Sequence, residues 1–268
     1  MVTMAMASRV ALPRAAGRWL RPWAFPALLL AALEFYTRTA GRGSEALAAP
    51  SATAAAFVQL LPSMAPDGLV RATAFTLGSA AAGLLLGTLA GVAIGLLLGL
   101  SRRAAQAGFL TIEVLRPIPS VALIPLAMLV FGFGFRMEIG VIAFAVFWPM
   151  LILSQAAVRQ VEPRLLEVAR ALELTAAARI WKIVLPATLP RLFVALRLSV
   201  AVALVVAVTV EIAANPHGMG YALIIAQQSL DPALMLAWLG WIGVVGVAVN
   251  AIAQWAQRAA ARAMGEVR

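Results

Sequence analysis

Apolar stretches of membrane-spanning length alternate with short polar segments along most of this chain. Four such stretches lie at about 72–100, 139–158, 193–213 and 233–255, and a fifth, at about 109–131, is interrupted by Pro117, Pro119 and Pro125. A helix needs about 20 apolar residues to cross a bilayer, and each of these stretches supplies that length. The pattern therefore predicts a bundle of transmembrane helices.

The beginning of the chain holds a shorter apolar stretch, residues 23–36, behind a basic arm of residues 1–22. We interpret this stretch as a first transmembrane helix, which raises the predicted number of spans to six. A cleaved secretory signal peptide is the alternative, since small residues follow the stretch, but Arg38 and Arg42 precede any such cleavage site. Residues 37–69 are predicted to form a hydrophilic segment between the first two spans.

Composition agrees with an integral membrane protein. Apolar residues make up 63% of the 268 positions, charged residues make up 12%, and the mean hydropathy is +0.95. An ordinary soluble domain is about 45–50% apolar and about 25% charged. The predicted fold class is therefore all-α, with six transmembrane helices. Residues 70–255 are predicted to form its core, and residues 256–268 a basic tail.

The residue types exclude most kinds of catalytic site. The chain has no cysteine and one histidine, His217, so thiolate, disulfide and histidine-rich metal sites are excluded. A phosphate-binding P-loop has glycine before its lysine and serine or threonine after it. The only lysine, Lys182, lies between Trp181 and Ile183 instead. We therefore expect no catalytic residue, no metal site and no cofactor on this chain, and any ATP to be hydrolysed by another polypeptide.

The basic residues indicate how the bundle is oriented. With six spans and a cytoplasmic N-terminus, cytoplasmic segments would hold 17 of the 21 arginine and lysine residues, and outer segments would hold four. Such residues accumulate on the cytoplasmic side of membrane proteins. Both termini are therefore predicted to be cytoplasmic, and the net charge of +10 reflects orientation rather than a nucleic-acid surface.

Glycines recur at every fourth position of the second span. This spacing keeps them near one face of the helix, where the absence of side chains lets another helix approach closely. The predicted packing face comprises Gly83, Gly87, Gly91, Gly95 and Gly99.

Two groups of residues are candidates for a translocation path. Pro117 and Pro119, next to Ser120, must break or kink the third span, and irregular backbone at membrane depth occurs where protein or a water-filled cavity surrounds it. Glu211 and Asn215 lie near the outer end of the fifth span, and an acidic residue at such depth is a candidate functional group. The alternatives are a plain kink, and a helix-end carboxylate that water solvates or an arginine pairs.

The most charged part of the chain, residues 159–191, lies between the fourth and fifth spans. Pro163 suits the first turn of a short amphipathic helix. Thr175 can cap a second short helix, 176–185, which Pro186 ends. The block is therefore predicted to form a helix–turn–helix. Its physical character leaves two roles open: a surface anchor on lipid, or a docking site for a partner protein.

The same loop resembles the EAA motif of permease subunits in ABC importers. The family pattern is Glu-Ala-Ala, three residues, Gly, nine residues and Ile-x-Leu-Pro, and this chain has Glu167-Val168-Ala169, Glu173 and Ile183-Val184-Leu185-Pro186. Further stretches over roughly residues 70–255 are similar to the nitrate, sulfonate and taurine branch of that family. They are Leu115-Arg116-Pro117-Ile118-Pro119, Ala122-Leu123-Ile124-Pro125-Leu126, Phe131-Gly132-Phe133-Gly134, Phe147-Trp148-Pro149, Glu211-Ile212-Ala213-Ala214 and Gly218-Met219-Gly220-Tyr221.

This resemblance implies a type I importer permease in the bacterial inner membrane, embedded in lipid, without nucleic-acid partners. It implies a homodimer, two ATPase subunits that hold ATP and Mg, and an extracytoplasmic solute-binding protein. The implied cargo is a small anion such as a sulfonate, nitrate or taurine. The residues that the resemblance places in the ATPase-docking coupling loop are Arg164, Glu167, Val168, Ala169, Arg170, Leu172, Glu173, Thr175, Ile183, Leu185 and Pro186.

The loop departs from the family pattern at two positions. Val168 replaces the second alanine, and Glu173 replaces the glycine at the turn. If that turn requires a positive φ, a residue other than glycine costs about 1 kcal/mol. We interpret the loop as modified but working.

Two other functions stay open beside the importer permease. One is an ion-coupled secondary transporter, and the other is a membrane scaffold that transports nothing. Ion coupling would use a chain of ionisable groups in the membrane, whereas the spans are predicted to hold only scattered ones. These are Glu34, Glu113, Glu138 and Glu211.

Overall fold

The computed structural model describes residues 16–40, 47–61 and 68–263, and these residues are helical apart from short connections. Most of the predicted basic arm and the end of the predicted tail lie outside the described residues. The helices are α1 (Ala16–Arg38), α2 (Pro50–Leu60), α3 (Leu69–Leu100), α4 (Arg102–Leu115), a 3₁₀ turn (Ser120–Leu123), α5 (Ile124–Phe131), α6 (Phe135–Arg159), α7 (Pro163–Ala171), α8 (Ala176–Arg179), a π segment (Ile180–Val184), α9 (Leu185–Ala213), α10 (Met219–Gln228) and α11 (Pro232–Ala263).

Four helical stretches in the described part of the chain are long and apolar enough to cross a membrane. They are Leu69–Leu100, Phe135–Arg159, Ala176–Ala213 and Pro232–Arg262, and the bent pair of α4 with Ser120–Phe131 makes a fifth if it counts as one span. Helix α1 is not among them, so length and composition do not reproduce the predicted count of six.

Helices α3 and α6 run parallel to each other. A Cβ added at Gly83 would lie 2.5 Å from Ile142, and one added at Gly99 would lie 2.6 Å from Val158, so contacts advance along both helices in the same direction. The chain must therefore return between Ser101 and Gly134 to the end where it started. The pair α4 and α5 makes that return.

The return is broken at the prolines predicted to interrupt it. Helix α4 ends at Leu115, and the axis turns by 84° before Ser120–Phe131. Pro117 and Pro119 lie in this break, consistent with their inability to continue a helix. Pro125, predicted to interrupt the same span, lies in the first turn of α5, where proline is tolerated.

The main apolar core lies where α3, α5, α6 and α9 meet. Met137, Ile142 and Val146 of α6 are completely buried there, with Ala195 and Ala207 of α9 packed beside them. A second cluster joins the start of α3 to α10 and α11.

Helix α2 is an element that the sequence pattern did not predict within residues 37–69. It is attached to α1 by a polar contact, because the Glu34 carboxylate accepts hydrogen bonds from the Ser51 N–H at 2.9 Å and from the Ser51 hydroxyl at 2.7 Å. Arg38 pairs with the same carboxylate at 2.5 Å.

Candidate functional site

The coupling loop connects α6 to α9 and presents most of its side chains to the outside. Helix α7 begins at Pro163, as predicted, and Ala169 is its one buried residue, at 1% exposure. Ala169 lies on the side of α7 that faces away from solvent, and α7 contacts the π segment. The exposed members of the predicted docking set are Arg164, Glu167, Val168, Arg170, Leu172, Glu173, Thr175 and Pro186.

The turn after α7 has the backbone geometry that favours glycine. Glu173 has φ +48°, in the left-handed region. Its N–H donates to the Arg170 carbonyl at 3.0 Å, and the Leu174 N–H donates to the Ala169 carbonyl at 3.0 Å. These two bonds form a Schellman cap, which usually has glycine at the position that Glu173 occupies. The condition set for strain at this position, a positive φ, is therefore met at Glu173, which replaces the family's glycine.

Replacing Glu173 with glycine is expected to stabilise this turn. Removing a side chain from a left-handed residue recovers about 1 kcal/mol, so hydrogen exchange of the Glu173 and Leu174 amides should slow about fivefold. Hydrogen–deuterium exchange of the purified chain measures this change. Glu173→Ala is the control, because it removes the carboxylate and keeps the strained backbone. Equal exchange in both variants would contradict strain as the cause.

The second half of the loop differs from its prediction. The Thr175 hydroxyl accepts from the Ala178 N–H at 3.3 Å, so Thr175 caps α8 as predicted. The predicted helix end at Pro186 is wrong, because the helix continues unbroken from Ala176 to Ala213. The π segment is the reason. Its wider turn lets the Leu185 N–H bond to the Ile180 carbonyl, and Pro186 follows in the first turn of α9, where its missing N–H is tolerated.

All five glycines of the predicted packing face lie against α6. Added Cβ atoms would come within 2.5–2.7 Å of α6 atoms at every position from Gly83 to Gly99. Real Cβ atoms are not found so close to other heavy atoms. Only glycine at these positions therefore permits α3 and α6 to approach each other so closely.

A buried polar cluster lies at the opposite end of α3 from the coupling loop. The Glu138 carboxylate, 0% exposed, accepts hydrogen bonds from the Ser79 hydroxyl and the Asn215 side-chain amide. The Glu211 carboxylate, 1% exposed, accepts from the Gly220 N–H at 2.8 Å. We call Thr76, Ser79, Glu138, Glu211 and Asn215 the polar cluster.

The polar cluster joins four helices. Thr76 and Ser79 belong to α3, Glu138 to α6 and Glu211 to α9, while the Met219 N–H at the start of α10 donates to the Thr76 hydroxyl at 3.0 Å. Two predictions are wrong here. Glu211 is neither solvated nor paired with an arginine, since the ion pairs of the described residues lie elsewhere. It is also not scattered from Glu138, because Asn215, four residues after Glu211, donates its side-chain amide to the Glu138 carboxylate.

The two candidate groups for a translocation path are separate in the structure. Glu211 and Asn215 line a cavity of about 320 Å³ between the end of α9 and α10. Pro117, Pro119 and Ser120 do not line this cavity. The glutamates do not form a metal site either, as no group of three histidine, cysteine, aspartate or glutamate side chains is placed to hold an ion anywhere in the described ranges.

Sequence reasoning missed Thr76 and Ser79, although a signal for Ser79 was present. Ser79 lies four residues before Gly83, so it continues the glycine register onto the same face of α3. That face of α3 contacts α6, and Glu138 lies on α6 directly opposite Ser79, from whose hydroxyl it accepts a hydrogen bond. A small polar residue in register with the glycines therefore pointed toward the next helix.

The sequence matches the family described as "Binding-protein-dependent transport system inner membrane component" over residues 83–266. It is 30% identical over 210 residues to the putative aliphatic sulfonates transport permease protein SsuC of Bacillus subtilis, covering 78% of this chain and 75% of that protein. It is 29% identical to the taurine transport system permease protein TauC of Escherichia coli, covering 67% of each chain. The nitrate import permease protein NrtB of Leptolyngbya laminosa is 29% identical, with 61% and 58% coverage.

The fold is similar to a solved structure of the MetNI methionine ABC transporter in an inward-facing conformation. The TM-score is 0.65 at 18% identity, covering 71% of this chain and 95% of that chain. This likeness confirms the predicted all-α permease fold. Because the family match covers more than half of the sequence, the chain belongs to the inner membrane components of binding-protein-dependent transport systems.

Proposed function

We propose that this permease imports a small oxyanion and that ATP hydrolysis on a partner subunit drives the transport. The relatives named above are permeases for aliphatic sulfonates, taurine and nitrate. Sulfonates and nitrate each carry negative charge on oxygens around a central atom, and taurine is itself a sulfonate. A cargo of this chemical class is therefore what the family branch supports.

One continuous helix carries the proposal. Residues Ala176–Ala213 form a continuous helix of 38 residues that starts in the coupling loop and ends two residues beyond Glu211 of the polar cluster. At 1.5 Å per residue this helix is about 57 Å long, which exceeds the thickness of a bilayer. A displacement at the coupling loop can therefore reach the opposite end of the bundle along one continuous helix, whose π segment and Pro190 are the places where it can bend.

The exposed face of the coupling loop supports its assignment to ATPase docking. Val168 and Leu172 are 50% and 64% exposed, and Arg164, Glu167 and Arg170 are exposed on the same short segment, α7 and its end. A patch that combines apolar anchors with charges of both signs suits a protein groove better than a lipid surface alone.

The assembly that we propose has two copies of this chain, two ATPase subunits below the coupling loops and a solute-binding protein on the other side. Both termini would lie in the cytoplasm, on the side of the coupling loops. The ATPases would supply the free energy of ATP hydrolysis with Mg. Their approach would push the two α7 helices together, tilt Ala176–Ala213 and switch access to the path between the copies.

Reversing the charge of Glu167 is expected to remove the ATPase from this permease. In a pull-down of the tagged chain from native membranes, Glu167→Arg should retain at least tenfold less ATPase than the unchanged chain. An ATPase surface that complements the negative charge of Glu167 would repel the positive charge of an arginine. Mass spectrometry identifies and quantifies the retained proteins. Proteoliposomes of the intact complex with its solute-binding protein then test ATP-dependent uptake of taurine, alkanesulfonates and nitrate.

Glu113→Arg is the matched control, since Glu113 is exposed on α4, away from the coupling loop. It should retain the ATPase. Loss of the ATPase in both variants would contradict docking at Glu167. If no ATPase is retained in several mild detergents and uptake follows an ion gradient, the proposal is replaced by ion-coupled transport. Glu138 and Glu211 of the polar cluster would then be the first groups to test.

A further inference from the structure

A cavity with a basic rim lies at the coupling-loop end of the bundle. Its volume is about 600 Å³, and it opens between the end of α3, the start of α4 and the end of α6. It is separate from the polar cluster, which lies at the other end of α3. The residues that define its chemistry are Leu98, Leu100, Arg102, Gln106, Phe109 and Arg159.

The lining changes from charged to apolar along one face of α4. Arg102, Gln106 and Phe109 stand at positions i, i+4 and i+7, which share one side of a helix. Arg102 is the first residue of α4, and Phe109 lies two turns further in, with 65% of its surface exposed. The cavity thus presents a charged end and an apolar end to the same occupant.

The two arginines of the cavity form no ion pair with any of the residues that the structure describes. Arg102 and Arg159 are both exposed, and the two ion pairs that the described residues form involve Arg38 and Arg116 instead. Arginine guanidinium groups bind phosphate through several parallel hydrogen bonds. Two unpaired arginines at one cavity therefore favour a phosphate-bearing anion.

The position of the cavity matches the boundary between lipid tails and headgroups. Arg159 is the last residue of α6, and Leu100 is the last residue of α3, so both spanning helices end here. Arginines at the ends of spans meet the headgroup layer, while the preceding apolar turns meet acyl chains.

We propose that this cavity binds an anionic phospholipid, with Arg102 and Arg159 on the headgroup phosphate and one acyl chain along Leu98 and Phe109. A free phosphate or an anionic cargo shares the charge but has no group that would cover the exposed Phe109 ring. The apolar end of the cavity therefore favours a lipid over a free anion. The lipid would hold the start of α4 against the ends of α3 and α6.

The full chain, purified in mild detergent and stripped of lipid, tests this proposal by native mass spectrometry. Phosphatidylglycerol is the probe, and phosphatidylcholine with the same acyl chains is the reference. We expect bound phosphatidylglycerol to fall about fivefold for Arg102→Gln or Arg159→Gln and about twentyfold for the double variant, since each arginine contributes separately to anionic lipid binding. Binding of phosphatidylcholine should be weak and unchanged.

Arg103→Gln with Arg136→Gln is the control, because it removes two exposed arginines that do not line the cavity. It should bind phosphatidylglycerol like the unchanged chain. The double variant Arg102→Lys with Arg159→Lys keeps the charges and should recover most of the binding, which separates charge loss from misfolding.

Two results would overturn the proposal. The first is equal loss of phosphatidylglycerol in the cavity variants and the control, which would show a diffuse surface effect. The second is displacement of the lipid by millimolar inorganic phosphate or taurine, which would show a free-anion site. Retained lipid at those concentrations supports the phospholipid.

Discussion

Replacing Gly91 with valine is expected to separate α3 from α6 and to destabilise the permease strongly. A Cβ at this position would lie 2.7 Å from both the Phe147 carbonyl oxygen and the Met150 Cβ, and the carbonyl belongs to the backbone. Carbon atoms pack at about 3.5–4.0 Å, so the helices would have to move apart by about 1 Å. The cost is about 3 kcal/mol or more, which lowers the melting midpoint by about 10 °C.

Gly240→Val is the matched control for this substitution. Gly240 lies in the spanning helix α11, and an added Cβ there meets no heavy atom within 4 Å. Both variants carry the same cost of a β-branched residue in a helix, so their difference reports packing alone. Tryptophan fluorescence during thermal unfolding in detergent measures both midpoints. Equal midpoints would contradict the close approach of α3 and α6.

The periodicity of the glycines was sufficient to identify which face of α3 packs, but not which helix packs against it. A four-residue spacing is a local property, and it reads directly from the sequence. The identity of the partner depends on how the spans are arranged. All spans are similarly apolar, so hydropathy does not distinguish α6 from its neighbours.

Local signals also predicted the coupling loop, up to the point where the helix geometry changed. Pro163 and Thr175 both start helices, as capping rules predict. Pro186 was misread as a helix end, because that rule assumes an α-helix before the proline. The π segment Ile180–Val184 alters the hydrogen bonding just upstream, and no pattern of residue types distinguishes it from an α-helix.

Apart from Ser79, which continues the glycine register, the polar cluster could not be predicted from residue spacing. Glu138 and Asn215 are hydrogen-bonded although 77 positions separate them in the sequence. Each carboxylate alone looked like an isolated group near the end of a span. The parallel arrangement of α3 and α6, which follows from the broken return through α4 and α5, brings Ser79 and Glu138 to the same end. Helix α9 ends beside them, which adds Glu211 and Asn215.

Replacing Gly218 with alanine is expected to break this polar cluster. Gly218 has φ +93°, and an added Cβ would overlap the Glu211 carboxylate. The strained backbone costs about 1–2 kcal/mol. Displacing Glu211 from the Gly220 N–H would add about 1–3 kcal/mol for a buried carboxylate that loses its hydrogen bond. A melting midpoint about 10 °C lower is the expected result.

Gly134→Ala separates these two costs. Gly134 has φ +102°, but its added Cβ meets no heavy atom within 4 Å, so this variant carries the backbone strain alone. Its midpoint should fall by only about 3–6 °C. A further comparison tests the link to transport. If Ala176–Ala213 relays motion from the coupling loop to the polar cluster, Gly218→Ala should uncouple ATP hydrolysis from uptake in the assembled transporter, while Gly134→Ala should leave the two coupled. Equal midpoints and equal coupling in both variants would show that Glu211 is only packed against the Gly218 turn and that the polar cluster transmits nothing.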